Sequence, residues 1–535
     1  VSAPPQADLA VLGARVHTLV PGAAPATALA VSGGRIVAVG DERDVKTTIG
    51  GRTQVLEAPG QVVVPGLVDA HVHLGIGLEQ ERGVDLSAVA GRAGLRSAIA
   101  AAAAATAPGE WVVAHGLDYG AVDDLATAAR DVDTAAGGRP AWVWLADLHT
   151  VLLSSAAVRL GGLTGAERFA DRSSVAVDGA AVVREMSAVG LAARALPAGT
   201  VPELADRLET LLQAKAATGL TGVHVLDSWG DTHDALSLLD AEGRLPLRVV
   251  SAPWCTAGTA GETVALAAAR AGRPGRRYRV AAVKAFLDGV VDAGTAWLAE
   301  PDACGECQAP QWLDPVDYRR AVLAAADAGL PTWTHAIGDA AVAYALDTYA
   351  LAPRPRTARH RVEHLEVLAD ADVRRFRALD VVGSVQPAHM DWSDPGLADP
   401  WSRRVGAGRV RRAWRLGDLA AAGATLALGS DWPISSSDPR RTLASAALRA
   451  PVGTGRPAYG GAGQALGPAQ ALAAMTTGPA YALREEAVAG RLAVGMRADL
   501  TVLGGDPVAC APEELPGLPV LATVVGGQVV HGAPG

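Results

Sequence analysis

Residues 62–73 read VVVPGLVDAHVH and restrict the fold more than any other stretch. An apolar, β-branched run reaches Pro65-Gly66, then resumes and ends in two histidines. Such a run is a buried strand. Side chains two apart on a strand share a face. His71 and His73 therefore project together from the strand end, with Asp69 on the same side. Two imidazoles fixed in this way make half of a metal site, because zinc takes N, O and S donors. The alternative is a pair of satisfied core histidines.

The 535 residues, half of them hydrophobic, suit one large domain and a smaller one. A formal charge of −9 argues against nucleic acid or an anionic membrane as partner. Four cysteines in so long a chain are no disulfide framework. The Ala-rich residues 98–105 read as a helix, and no stretch has the length and apolarity of a membrane span. No basic and then apolar leader precedes Asp8, so a cytoplasmic location is expected, although a start at Val1 leaves a trimmed leader open.

Residues 9–39 alternate with period two around Gly33-Gly34 and read as short hairpins. Residues 499–503 and 520–531 repeat the pattern around Gly526-Gly527. Neither end has enough strands for a sheet with a buried face, so the two ends are expected to meet in one small β domain, residues 1–60 with 487–535. His17 and His531 lie in it as structural residues. Between the ends, strands at 62–70, 221–226, 247–252, 279–286, 331–335, 359–365, 381–386 and 425–429 alternate with helical stretches. Eight such strands predict an α/β fold, a (β/α)₈ TIM barrel over 61–486 with its active site at the C-terminal strand ends. A large insertion, about 75–215, carries its own strands at 111–117 and 141–145 and is expected as a lobe over the barrel mouth.

Polar groups gather at those strand ends. Lys284 sits in VAAVKAFLDG, His335 ends PTWTHAIGD, His364 ends RHRVEHLE with His360 four residues earlier, and Asp431 follows ATLALGS. A single polar group there is commonly a cap; five strand ends supplying two His, Lys, His, His and Asp in order form a catalytic constellation.

With VVPGLVDAHVH, VKAFLDG, THAIGDAAV, RHRVEHLE, SVQPAHMDW, GSDWPI and GRLAVGMRADLTVL in view, the chain resembles the amidohydrolase superfamily, in its N-substituted formamide deformylase-like branch, over nearly its whole length. The resemblance implies a barrel plus a β-sandwich built from both termini. It implies metal ligands at His71, His73, Lys284, His335, His364 and Asp431, with Lys284 carboxylated to bridge two metals. Two loops depart from relatives: residues 290–294 read VVDAG where Ser-Leu-Gly-Ser-Arg is usual, and Cys304-Gly-Glu-Cys307 follows.

Elementary chemistry bears on the roles. A protonated Lys284 beside a divalent cation is repelled, so it becomes either a neutral amine or an anionic carbamate. One or two zinc ions remain open. Asp431 suits a general base and then a general acid, and His389 either donates to an oxyanion or is an ordinary loop histidine. Asp339 orients the loop after His335 or caps a helix. The resemblance places the stretches holding His115 and His149 near the pocket; otherwise both are ordinary histidines of the lobe. The arginines of 403–415 are a solvated helix face or an anionic-substrate clamp.

All 12 tryptophans fall within 111–432, against 3 phenylalanines in the whole chain. Trp229, Trp254, Trp297, Trp392 and Trp432 come just past strand ends, which predicts an apolar pocket wall and a small neutral substrate with an apolar or aromatic group. A homo-oligomer is left open. Three classes compete: a hydrolase of an amide-type C–N bond (formamide, acyl-amine, or cyclic amide or carbamate), a deaminase of the same superfamily, and a non-catalytic scaffold. Mononuclear deaminases place a Glu three residues after the fifth-strand His, where this chain has Gly338. A scaffold would be expected to lose ligands, and none is missing.

Overall fold

The computed structural model describes residues 6–122, 124–353 and 358–532. The fold is mixed α/β. Parallel strands alternate with helices: Leu67–Val72, Leu220–Val225, Arg248–Ser251, Tyr278–Val280 continued by Val283–Phe286, Thr332–Ala336, Arg361–His364, Val382–Val385 and Leu426–Leu428. They pair in two parallel arcs. Isolated parallel bridges join the arcs, Trp254 with Lys284 and Val72 with Trp432. At the second junction Asp431 N donates to His71 O (2.8 Å) and His73 N to Trp432 O (2.7 Å). Most residues of these strands are buried, as a parallel sheet covered on both faces requires.

Residues 62–70, expected as one strand, divide at Gly66. Val62–Pro65 pairs with Arg15–Val16 and antiparallel with Leu500–Leu503, whereas Leu67–Val72 pairs with Leu220–Val225. A Cβ on residue 66 would lie 2.3 Å from Thr221 Oγ1, so the crossing between the two sheets has room only for glycine.

The termini form two sheets. One contains Arg35–Gly40, Ala28–Ser32, Leu9–Leu12 and Gln54–Glu57; the other contains Arg15–Val16, Val62–Pro65, Leu500–Leu503, Val520–Val525 and Gln528–His531. Leu9, Val11, Leu29 and Val31 of the first pack with Val63, Leu500, Val502 and Val524 of the second. Gly33-Gly34 does turn a hairpin. Leu9–Leu12 and Arg15–Val16 instead part to different sheets, because Gly13 and Ala14 carry the chain from one to the other. His17 Nε2 lies 2.9 Å from Asp506 Oδ1.

The inserted lobe has a six-stranded sheet, from Val84–Asp85 to Ala180–Arg184. Strand Ala141–Leu145 is buried on both faces, and its alternation sorts the two cores. Ala141, Val143 and Leu145 face helices Gly91–Ala105 and Leu125–Ala136, while Trp142 and Trp144 face Ser155–Gly161 and Met186–Ala193. Helix Val201–Ala217, started by the Thr200/Glu203 capping box, buries Leu208 and Leu212 in the main core. Among the described residues no helix is long and apolar enough to cross a membrane.

Candidate metal centre

The C-terminal strand ends and the lobe enclose a cavity of about 160 Å³. Asp431 sits at its floor with φ +59°, and His364 has φ +73°. Left-handed backbone at non-glycine residues costs about 1–3 kcal/mol each and persists where the surroundings hold it. Each Asp431 oxygen faces two imidazoles. Oδ1 is 3.0 Å from His73 Nε2 and 3.3 Å from His71 Nε2; Oδ2 is 3.4 Å from His389 Nε2 and 3.7 Å from His364 Nδ1. Two donor sets result, His71/His73/Asp431 and His364/His389/Asp431, each with its atoms within 4.8 Å of one another.

These atoms fit a cation. His73 Nδ1, His364 Nδ1, His389 Nε2 and Asp431 Oδ1 are buried without a hydrogen-bond partner, whereas buried polar atoms are nearly always satisfied. Burial lowers His71 to about 4 and holds His364 well below the ordinary histidine range, so both are neutral, as ligands are. Burial pushes Asp431 up, but His71 and His389 outweigh it and keep the carboxyl well below its usual range. Burial pulls His389 down, yet the neighbouring carboxylates of Asp431 and Glu366 lift it to about 9.

Glu363 and Arg361, which the sequence reading passed over, hold this centre from beneath. His71 Nδ1 is 2.9 Å from Glu363 Oε2, so the proton sits on Nδ1 and the lone pair on Nε2 points toward Asp431. Arg361 grips Glu363 through Nε (2.8 Å) and Nη2 (2.9 Å), and reaches His224 Nδ1 (2.9 Å). The signal was present as two opposite charges at i and i+2 beside the strand-end histidine. Glu363→Gln is expected to weaken zinc binding by about 10- to 100-fold, the usual effect of losing such a partner. Equilibrium dialysis against a competing chelator checks it, with the melting temperature reporting the disturbed Arg361.

The other sequence-predicted residues fall as follows. Lys284 is fully buried, its Nζ is 3.5 Å from His71 Nε2, and burial lowers it to about 8. His335 borders His364 (ring centroids 4.3 Å apart), but its Nε2 faces Gly289 O at 3.1 Å, so it stands beside the two donor sets. Asp69 turns from the donors to accept Ser430 N (2.9 Å) and Oγ (2.5 Å), pinning the loop before Asp431. His360 accepts from Thr332 N and stacks on Tyr349, away from the cavity. His149 lines the cavity, with Nδ1 2.8 Å from Glu185. His115, on lobe strand Val112–Leu117, does not line it.

Among the tryptophans, Trp254 and Trp392 line the cavity. Trp229 packs on Trp142 and Trp144, Trp297 turns to Tyr344, and Trp432 lies under Lys215 Nζ. Position past a strand end does not set direction. Trp401 and Trp414, stacked at 4.6 Å, complete the wall together with Phe286 and Met186. Of the adjoining arginines, Arg404 is tied to Asp302 (2.8 Å) and Arg412 to Asp339 (3.3 Å). Asp339 also accepts Ala299 N at 2.8 Å and so fixes that loop. Cys304 and Cys307 are free thiols.

A mixed α/β fold with histidine and aspartate donors at its strand ends is that of the metal-dependent hydrolases. The chain belongs to the amidohydrolase family, whose profile matches residues 54–531, and so to enzymes of carbon–nitrogen bonds other than peptide bonds. It is 26% identical to the N-substituted formamide deformylase of Arthrobacter pascens, over 97% of each chain. It is 28% identical to Protein LONG AFTER FAR-RED 3 of Arabidopsis thaliana, over 98% of this chain and 92% of that one. The crystal structure of an uncharacterized metal-dependent hydrolase from Pyrococcus horikoshii has the same fold, with TM-score 0.74 at 24% identity, covering 94% of this chain and 99% of that one.

Proposed function

We propose that this chain hydrolyses an amide-type C–N bond of a small neutral molecule bearing an apolar or aromatic group, with Asp431 carrying the proton. The observation behind it is Asp431 itself, a buried carboxylate with two imidazoles facing each of its oxygens, lining an aromatic-walled cavity. We further propose that the two arcs form one (β/α)₈ barrel over 61–486 and that the termini form a β-sandwich from 1–60 and 487–535.

His71, His73, His364 and Asp431 would hold divalent metal, zinc by its N and O donors, with His335 and a carboxylated Lys284 adding ligands if a second ion binds. Bound there, the metal would polarise a carbonyl oxygen and lower the pKa of water. Asp431 accepts the proton of the attacking water and returns it to the leaving nitrogen. His389, held protonated by Glu366, donates toward the oxygen on which charge develops. Trp254, Trp392, Trp401 and Phe286 seat the apolar group and exclude bulk water.

Deamination is disfavoured by local space. A Cβ on residue 338 would lie 2.0 Å from Trp297 O, so this loop cannot carry the glutamate expected there. Zinc-loaded protein offered N-substituted formamides, acyl-amines, lactams and carbamates should release amine and carboxylate. Ammonia as the product would overturn the proposal.

Trp392, 54% exposed at the rim beside His389, can be truncated without opening the core. Trp392→Ala is expected to raise KM about 2- to 10-fold with kcat nearly unchanged, the value of an aromatic contact made equally in ground and transition states. Trp297→Ala should leave KM alone. Steady-state kinetics on an aryl substrate distinguish the two.

A further inference from the structure

A second cavity, of about 370 Å³, lies at the opposite end of the strands, where residues 66–68, 221–224, 248–250 and 274–279 meet the segment 476–499. Five arginines line it: Arg248, Arg276, Arg277, Arg279 and Arg497. The two lining carboxylates are committed. Asp499 takes Arg248 at 2.7 and 3.0 Å, and Glu485 is shared by Arg497 (2.8 Å twice) and Arg279 (2.9 Å). Asp240, just behind, accepts the backbone N–H groups of Arg276, Arg277 and Tyr278.

Arg277 is held only by neutral oxygens: Leu245 O, Pro246 O, Val525 O and Gln528 Oε1. Arg276 stands exposed at the rim. Among the described residues neither has a carboxylate within 4.0 Å of its guanidinium. Burial and then Arg248 pull Arg277 below its ordinary value, and burial does the same to Arg279 despite Glu485. A guanidinium does not deprotonate, so both charges stay in place although burial disfavours them.

We propose that this cavity binds a phosphate-class anion, either free phosphate or the phosphoryl group of a small phosphate ester. Five guanidinium groups against two lining carboxylates leave the wall cationic, which suits phosphate oxygens, and the volume falls within the range of about 300–1,000 Å³ usual for small-ligand sites. No metal-donor set lies here among the described residues. His224, which also faces the cavity, is engaged by Arg361.

Calorimetric titration of the metal-loaded full chain at constant ionic strength tests the site, with inorganic phosphate, glycerol phosphate and malonate as probes. One equivalent of phosphate or glycerol phosphate should bind, and the tighter of the two identifies the source; malonate should bind at least tenfold more weakly. Arg276→Gln, a rim change that leaves the fold intact, should weaken binding about tenfold, the size of one charge-assisted hydrogen bond, and should not alter hydrolysis. Arg277→Lys, which keeps charge but loses the Nε–H that the four protein oxygens leave over, should weaken it too. His73→Ala, which disables the distant metal centre, should leave phosphate binding intact. Absence of saturable binding, malonate binding as tight as phosphate, unchanged affinity in both arginine variants, or loss of binding in His73→Ala would overturn the proposal.

Discussion

Asp431→Asn is expected to fold normally and to lower kcat by about two to four orders of magnitude, the range for a lost general acid–base. Folding should survive because residue 431 has φ +59°, a left-handed conformation that Asn adopts almost as readily as Asp. The chemistry should not survive. The amide offers one oxygen instead of two, so either the His71/His73 side or the His364/His389 side meets an NH₂ group that can neither ligate nor take a proton. Metal analysis must accompany the kinetics, since both donor sets use this residue. A metal-replete Asn variant turning over at near the normal rate would remove Asp431 from proton transfer.

Lys284→Ala is expected to lose at least one metal equivalent and nearly all activity. The amine is fully buried 3.5 Å from His71 Nε2, and as an ammonium it would repel a cation held there. Its lowering to about 8 makes the neutral form accessible, and a neutral amine can take up CO₂ to become an anionic carbamate with two donor oxygens. Formate or acetate should partly restore the Ala variant by supplying the missing carboxylate. Lys284→Arg should fail, because guanidinium stays charged and has no lone pair to give. Zinc per chain, measured on wild type and Lys284→Ala, decides the matter together with crystallographic density at Nζ. One equivalent in both, with a bare amine in the map, would leave a mononuclear hydrolase.

Much of the site could be read from residue spacing. His71 and His73 are two apart on an apolar strand, and both come within 3.3 Å of the aspartate that ends the eighth strand. His389, assigned a donor role, also stands in one of the two groups that could hold a metal, a proximity that no periodicity signals for a loop residue after the seventh strand. Glu363 and Arg361 were overshadowed by the histidine beside them. Tryptophan direction was not legible, because beyond a strand end the chain turns and the alternation of faces ends. Likewise, period-two patterning identified the terminal strands but not which sheet each one joins; long-range pairing decided that for Leu9–Leu12, Arg15–Val16 and Val62–Pro65.

The glycine crossing at residue 66 has a practical side. The strand that bears His71 starts two residues after a strand of a different sheet, and that sheet closes over it from the far end of the gene. Thr501 Oγ1 and Thr523 Oγ1 also fasten to Gly219 O (2.7 Å) and Ala216 O (2.8 Å), at the foot of the neighbouring strand. The molecule therefore cannot be trimmed to a minimal hydrolytic fragment by deleting its ends. The exchangeable material lies inside the chain, in the inserted lobe that lines the cavity, and any effort to graft a new specificity onto this scaffold should replace that interior segment and leave both tails untouched.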